Sequence, residues 1–440
     1  MPLLPVDPDC DPLLLQRAAP DRYPCLLQST ACGTAQGRFD LLAAFPQDRL
    51  TLPAEPWPQP DFIAEFDRRW ASAGGPPPPP GLPFGGGWFL LLGYELARQL
   101  EPRLPLPLPT GLPLALAWRI PVALIRDRRR HEAWVVAEPG YTEEAAMLAR
   151  EVAELAATRP QRRRRPHASA LFEPPPEEFL HAVTRARRHI AAGDIYQANL
   201  SREWHGRLAA GAGPADVYER LRETNPGPFA GLASWDDCAV LSSSPERLVS
   251  IRDGRIDTRP IAGTRPRGRR YGADAPLRAE LLAHPKERAE HVMLIDLERN
   301  DLGRICVPGS VQVDEFMVVE SYSHVHHIVS NVSGRLRPEV TPGDALRAVF
   351  PGGTITGCPK LRCMEIIAEL ERRPRGFYTG AMGYLNHDGS GDFNILIRSI
   401  QLQGRDLSFA AGSGIVADSE PERELEETRA KARGMLLALS

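Results

Sequence analysis

Proline and glycine cut the apolar residues of this chain into strand-length pieces, and that limits its possible folds more than any other feature. The 440 residues include 44 Pro and 37 Gly. Between these breakers, residues 1–157 carry RYPCLLQS, GRFDLLAAF, WFLLLGYEL, PLALAWRIPVALI and EAWVVAE. Short apolar runs bounded by turn residues read as strands. One stretch, 142–158, has helical periodicity instead. Pro76–Pro80 reads as a stiff polyproline loop between elements.

From 177 onward, helices and strands alternate. EEFLHAVTRARRHIAAG places Phe179, Val183, Ala186 and Ile190 on one helical stripe and stops at Gly193. CAVLSSSPERLVSIRDGRIDTRPIAGT reads as consecutive strands, with Asp253-Gly254 a hairpin turn. RAEHVMLIDLERNDLGR is a helix apolar on more than one face, hence expected to be deeply packed. FNILIRSIQL and DLSFAAGSGIV are strands, and a last helix follows with Ser419 and Glu422 in capping-box spacing. The organisation expected is a region 1–157, an Arg/Pro-rich linker 158–176 and a catalytic domain 177–440.

Charge and cysteine usage exclude several function classes. Lys+Arg 53 against Asp+Glu 56 leaves a net charge of -3, which removes the global argument for a nucleic-acid binder. The Arg162–Arg165 run has no interleaved aromatic and reads as solvated linker. Seven scattered cysteines form no CxxC pair, so a reduced, cytoplasmic protein is expected. The acidic, proline-broken start carries no secretory pattern, and no apolar run approaches a membrane span.

Several clusters carry chemistry. Glu287 and Glu290 lie three apart on one expected helix, and Glu424 and Glu427 lie three apart on another. That spacing puts each pair on one helical face. Facing helices would offer the oxygen ligands Mg²⁺ prefers, whereas solvated glutamate pairs would need no partner. Glu246, in Ser244-Pro245-Glu246, sits at a strand edge, as either a general acid or a salt-bridged turn residue. Gly412-Ser413-Gly414 lets backbone amides approach an anion, or serves a turn. The loop Pro351–Lys360 is glycine-rich but lacks Walker spacing, which excludes an NTPase reading. Arg398 lies within the apolar run NILIRSI and needs either a structural counter-charge or an anionic ligand. In SHVHH, strand geometry turns His324 and His326 one way and His327 the other, against a three-histidine metal site.

Together, GDIYQANLS, SSSPERL, RPIAGTRPRG, KERAEHVMLIDLERNDLGR, YSHVHHIVSNVSG, PGGTITGCPKLRCMEII, RGFYTGAMGY, FNILIRSI and AGSGIVADSEPERELEET resemble the chorismate-utilising enzymes. That family includes anthranilate synthase component I, aminodeoxychorismate synthase component I and the isochorismate and salicylate synthases. The resemblance is specific from about 177 to 440 and looser before it. It implies Mg²⁺ on Glu290 and Glu427, with Glu287 and Glu424 assisting through water. It implies Glu246 as the acid for the carbon-4 hydroxyl, and Tyr378, Arg398 and the Gly412 and Gly414 amides on the enolpyruvyl carboxylate. His327 would lie beside the ring, with Thr264, Thr354 and Lys431 lining the site. The fold implied is α+β, two antiparallel β-sheets packed face to face with helices outside.

Within the family, the water-adding enzymes carry a lysine where this chain has Gln197. Glutamine is no base near neutral pH, so the resemblance points to ammonia as nucleophile. Aminodeoxychorismate synthases typically carry lysine after Pro-Ile, whereas anthranilate synthases carry alanine, as here at Ala262. Asn199 in YQANLS, the PGGTITGCPK loop, VHHIVS, and LLQS in place of the tryptophan-feedback LLES favour aminodeoxychorismate synthase component I. Anthranilate synthase component I is the alternative. The 1–157 region carries no glutaminase triad pattern, so ammonia is expected from a separate glutamine amidotransferase subunit, and neither nucleic acid nor membrane is an expected partner.

Overall fold

A computed structural model describes residues 2–31, 37–157, 167–266, 274–283, 285–321 and 325–440. Among them the strands form one twelve-stranded and one ten-stranded sheet. In the first, 3–6, 132–137, 122–127, 39–44 and 25–28 continue into 229–235, 238–244, 399–403, 406–415, 197–208 and 357–358. The second runs 261–266, 325–335, 255–258, 247–252, 391–395, 381–386, 87–92, 115–120 and 49–52. Strands from 1–157 and from 177–440 therefore interleave in both sheets. Pairing throughout is antiparallel, from Leu3↔Val136 at one edge to Leu52↔Ala115 at another.

Alternation along single strands shows how the layers stack. Leu41 and Ala43 pack with Phe89, Leu91, Trp118, Val240 and Met382 in a core between the two sheets. Their neighbours Leu42 and Ala44 point the other way, into a core with Leu148, Tyr218 and Met435 of the helices outside the first sheet. Trp88, Leu90 and Leu92 likewise pack outward beneath Phe66, Ile295 and Leu346. Central strands are thus buried on both faces, and Gly87–Leu92 and Cys238–Ser244 are buried at every position. Burial on both faces favours continuous apolar runs over polar alternation, as in Gly87–Leu92, and the three serines that end Cys238–Ser244 are buried too.

Local structure follows the sequence with four differences. Asp253 and Gly254 have φ 53° and 70°, the hairpin turn expected, and Pro176–Ala191 buries Phe179, Val183 and Ala186. Ala168–Phe172, inside the linker segment, is a strand paired with Gln197–Leu208. The Ser419–Glu422 capping box does not form: the helix Pro421–Ala438 starts after Glu420, and Ser419 Oγ accepts from Val416 N at 3.0 Å. Arg398 is not within a strand. It separates Gly391–Ile395 from Ser399–Gln403 with φ 52°. The helix Pro285–Gly303 is less enclosed than expected, because Val292 is 43% exposed beside an apolar groove shared with Tyr196 and Leu361. No helix among the described residues is long and apolar enough to cross a membrane. His324, Arg162–Arg165 and Cys32 lie outside the described residues.

Candidate active site

Glu246 is held by its own tripeptide. Ser244 Oγ accepts from Glu246 N at 3.2 Å and donates to Ile395 O at 2.6 Å, and Ile395 N donates to Glu246 O at 3.1 Å. The turn between Cys238–Ser244 and Arg247–Arg252 is thereby fixed to the next strand of the second sheet. The carboxyl is buried, and burial pushes its pKa up to about 7, against the lowering effects of the Thr354 hydroxyl, the Ile261 amide, Lys431 and Arg398. A carboxyl in this range carries a proton near neutrality and can donate it.

Two glycines shape the opposite wall. A Cβ on Gly412 would lie 2.6 Å from Leu200 O, 2.7 Å from Asn199 Oδ1 and 2.9 Å from the Tyr378 hydroxyl. On Gly414 it would lie 2.5 Å from Gln197 Nε2. These contacts come from register, since Gln197–Leu208 pairs with Asp406–Ile415 through Asn199↔Gly414 and Ser201↔Gly412. Gln197 Oε1 and Asn199 Oδ1 are buried with no hydrogen-bond partner, so two acceptors on alternate residues of one strand are unsatisfied. Lys431 Nζ donates to Gly412 O at 2.9 Å and pairs with Glu427 at 2.7 Å.

Tyr378 and His327 are buried, and Arg398 is half-buried in the same region. Burial lowers the pKa of Arg398, with Glu246 opposing; an arginine stays cationic regardless. Burial pushes the Tyr378 phenol up to about 12, so it remains a hydrogen-bond donor. His327 is buried, and burial with the nearby Arg398 lowers it to about 3, leaving a neutral imidazole. His326 faces away and joins Ser321 Oγ at 2.7 Å. Ala262 pairs with Ile328, and Thr264 occupies its strand opposite His327, its side chain outside the described set.

The structure brings Thr354, Lys431 and Arg398 near Glu246, Arg398 and Lys431 near His327, Tyr378 and Lys431 against Gly412, and Gln197 against Gly414. It does not gather the four glutamates. Glu287 Oε2 lies 2.9 Å from a Cβ position on Gly263, Glu427 holds Lys431, and no group of three or more His, Cys, Asp or Glu side chains is placed to hold a metal among the described residues. The donors are still the hard oxygens suited to Mg²⁺, two on Pro285–Gly303 and two on Pro421–Ala438.

A family model described as chorismate binding enzyme matches residues 23–437. The chain belongs to that family. It is a chorismate-utilising enzyme of the anthranilate synthase and aminodeoxychorismate synthase type. It is similar to an anthranilate synthase component I-like protein of Synechocystis, 42% identical over 81% of this chain and 73% of the relative. It is also similar to aminodeoxychorismate synthase component 1 of Bacillus subtilis, 47% identical over 63% of this chain and 59% of the relative. Anthranilate synthase component I of Streptococcus pneumoniae superposes with TM-score 0.80 at 33% identity, covering 92% of this chain and 93% of that one. The menaquinone-specific isochorismate synthase of Escherichia coli shares the fold, with TM-score 0.74 at 20% identity and coverage of 100% and 94%.

Sequence reasoning missed two buried charged residues. One is the support beneath Tyr378: Arg375, buried, reaches Glu371 at 2.7 Å, Asn199 O at 2.7 Å and Ile355 O at 3.1 Å. The other is Glu298, a buried carboxyl whose charged sequence neighbours Asp296, Arg299 and Asp301 make it read as a surface residue.

Proposed function

We propose that this chain is aminodeoxychorismate synthase component I, adding ammonia to chorismate to give 4-amino-4-deoxychorismate for 4-aminobenzoate and folate synthesis. The observation that carries the amination reading is Gln197. Its side-chain oxygen is a buried, unsatisfied acceptor, suited to an ammonia N–H and unable to deprotonate water, while its Nε2 lies against Gly414. Asn199 supplies a second open acceptor two residues on.

In this reading Arg398, the Tyr378 hydroxyl and the Gly412 and Gly414 amides bind the enolpyruvyl carboxylate. Lys431 and Thr354 line the pocket, and neutral His327 packs beside the ring without adding charge. Ammonia forms the new carbon–nitrogen bond while the carbon-4 hydroxyl takes the Glu246 proton and leaves as water. Ala262 has no nucleophile, so no bond to that residue forms. Glu290 and Glu427 would hold Mg²⁺, with Glu287 and Glu424 beside them; when bound, the ion supplies charge neutralisation of the substrate carboxylate. The component names of the relatives support ammonia supply by a separate glutamine amidotransferase subunit.

Ala262 itself favours a second reading, anthranilate synthase component I, with anthranilate and pyruvate as products. The test is product analysis with chorismate, Mg²⁺ and ammonium. 4-Aminobenzoate that forms only after adding aminodeoxychorismate lyase supports the first reading. Anthranilate without the lyase replaces it with the second.

A further inference from the structure

Cys238–Ser244 ends in three fully buried serines. A buried hydroxyl needs a hydrogen-bond partner, and the partners here lead to the segment 395–399. Ser244 Oγ reaches Ile395 O at 2.6 Å, beneath Glu246. Ser243 N donates to Arg398 O at 3.1 Å, while its hydroxyl donates to Asn225 O. Ser242 stands opposite Ser399 in the pairing of Cys238–Ser244 with Ser399–Gln403, and their Oγ atoms are 2.8 Å apart.

Ser399 is itself 2% exposed, and its Oγ lies 3.1 Å from Ile397 O. A hydroxyl has one proton and a carbonyl only accepts, so Ser399 donates to Ile397 O and receives the proton of Ser242. The bond from Ser399 back to Ile397 closes a ring over Arg398, the residue between them. Arg398 has φ 52°, a left-handed conformation that a residue with a Cβ keeps only where its surroundings enforce it. Both of its sides are fixed here, Ile397 O by the Ser399 hydroxyl and Arg398 O by the Ser243 amide. No side chain among the described residues holds the Arg398 guanidinium in an ion pair or hydrogen bond. The direction of that guanidinium is therefore set by the backbone beneath it.

We propose that Ser399 is a positioning residue for Arg398: anchored to Ser242 on the neighbouring strand, its hydroxyl holds the left-handed turn that aims the guanidinium at the substrate carboxylate. The run of buried serines then serves both ends of the reaction, Ser244 under the acid Glu246 and Ser242 with Ser399 under the carboxylate-binding arginine. The inference rests on Arg398 binding chorismate, as in the proposed function. A guanidinium on a carboxylate that does not react meets it equally in the ground and transition states, so losing its aim raises KM and leaves kcat nearly unchanged.

The test is steady-state chorismate consumption by the full chain with Mg²⁺ and ammonium, for wild type, Ser399→Ala, Arg398→Gln and the double variant, with thermal melts showing each folded at the assay temperature. Ser399→Ala is expected to raise KM for chorismate about tenfold, with kcat within about twofold of wild type. In the Arg398→Gln background the same change is expected to alter kcat/KM by less than about twofold, because the side chain it acts through is gone. Losses that multiply across the two sites, a loss confined to kcat, or a Ser399→Ala enzyme with the wild-type KM each overturn the proposal. Should Ser399→Ala fail to fold, Ser242→Ala serves, since it frees the Ser399 hydroxyl from the neighbouring strand. It is expected to raise KM in the same way and with the same dependence on Arg398, and an unmoved KM overturns the proposal. A wild type that leaves chorismate intact, or an Arg398→Gln enzyme with the wild-type KM, overturns the functional reading underneath.

Discussion

The side-chain amide of Gln197 fills the space a Cβ on Gly414 would occupy, with Nε2 2.5 Å from that position. The conflict is with the tip of a side chain, so Gly414→Ala should fold normally and push the amide out of place. Turnover with ammonium is expected to fall about tenfold, ~1.4 kcal/mol of transition-state stabilisation. Steady-state kinetics at varied ammonium checks it; an unchanged kcat/KM for ammonium would remove Gln197 from the nucleophile site.

Gly412 differs in kind, because its missing Cβ would meet the Leu200 carbonyl at 2.6 Å as well as two side chains. Backbone yields less readily than a side-chain tip. Gly412→Ala should therefore lower Tm as well as weaken chorismate binding, where Gly414→Ala lowers only activity. Thermal melts of the two variants side by side decide this.

Glu246→Gln is expected to reduce kcat by about 10²–10⁴. In the wild type the acid form is present below about pH 7 and lost above it, so the rate should fall as pH rises through that value. An alkaline limb unchanged in the Gln variant would assign the acid elsewhere.

Stability should respond to the same carboxyls. Burial raises Glu95, Glu246 and Glu298 from 4.5 to about 7. Folded pKa values above the unfolded ones mean the folded state binds more protons between these limits. Their contribution to stability is then fully present below about pH 4.5 and lost as pH rises through about 7. Glu246→Gln should consequently be more stable than wild type at alkaline pH, by about 1–3 kcal/mol, and lose that advantage in acid. Denaturant melts across pH measure both signs.

Arg375→Met should cost about 3–5 kcal/mol, since it leaves Glu371 buried without its main partner. Lysine should rescue little, because one ammonium does not reproduce the guanidinium contacts to Glu371, Asn199 O and Ile355 O together. Chemical denaturation gives the number.

What was legible in the sequence depended on short-range pattern. The Ser-Pro-Glu turn, the two glycines around Ser413 and the hairpin at Asp253-Gly254 are local, and each carries its geometry in adjacent residues. Strands buried on both faces showed as apolar runs, unbroken in Gly87–Leu92 and ending in three buried serines in Cys238–Ser244. The strand break at Arg398 did not show, because a left-handed residue inside NILIRSI interrupts the strand without changing the run of apolar residues. Glu298 reads as one more helical glutamate until the Gly353 turn, 55 positions along the chain, closes over it. The relation between the two glutamate couplets depends on how distant helices are set, which spacing within a single helix does not encode.

The most direct test of the account is to trace the atom that joins chorismate. The purified chain is given chorismate and Mg²⁺ with ammonium labelled in heavy nitrogen and water labelled in heavy oxygen, and the product is analysed by mass spectrometry. Ammonia as nucleophile predicts one heavy nitrogen per product molecule and no heavy oxygen, with the label lost in proportion when Gln197 is replaced. Heavy oxygen in the product, or chorismate consumed equally without ammonium, would contradict it.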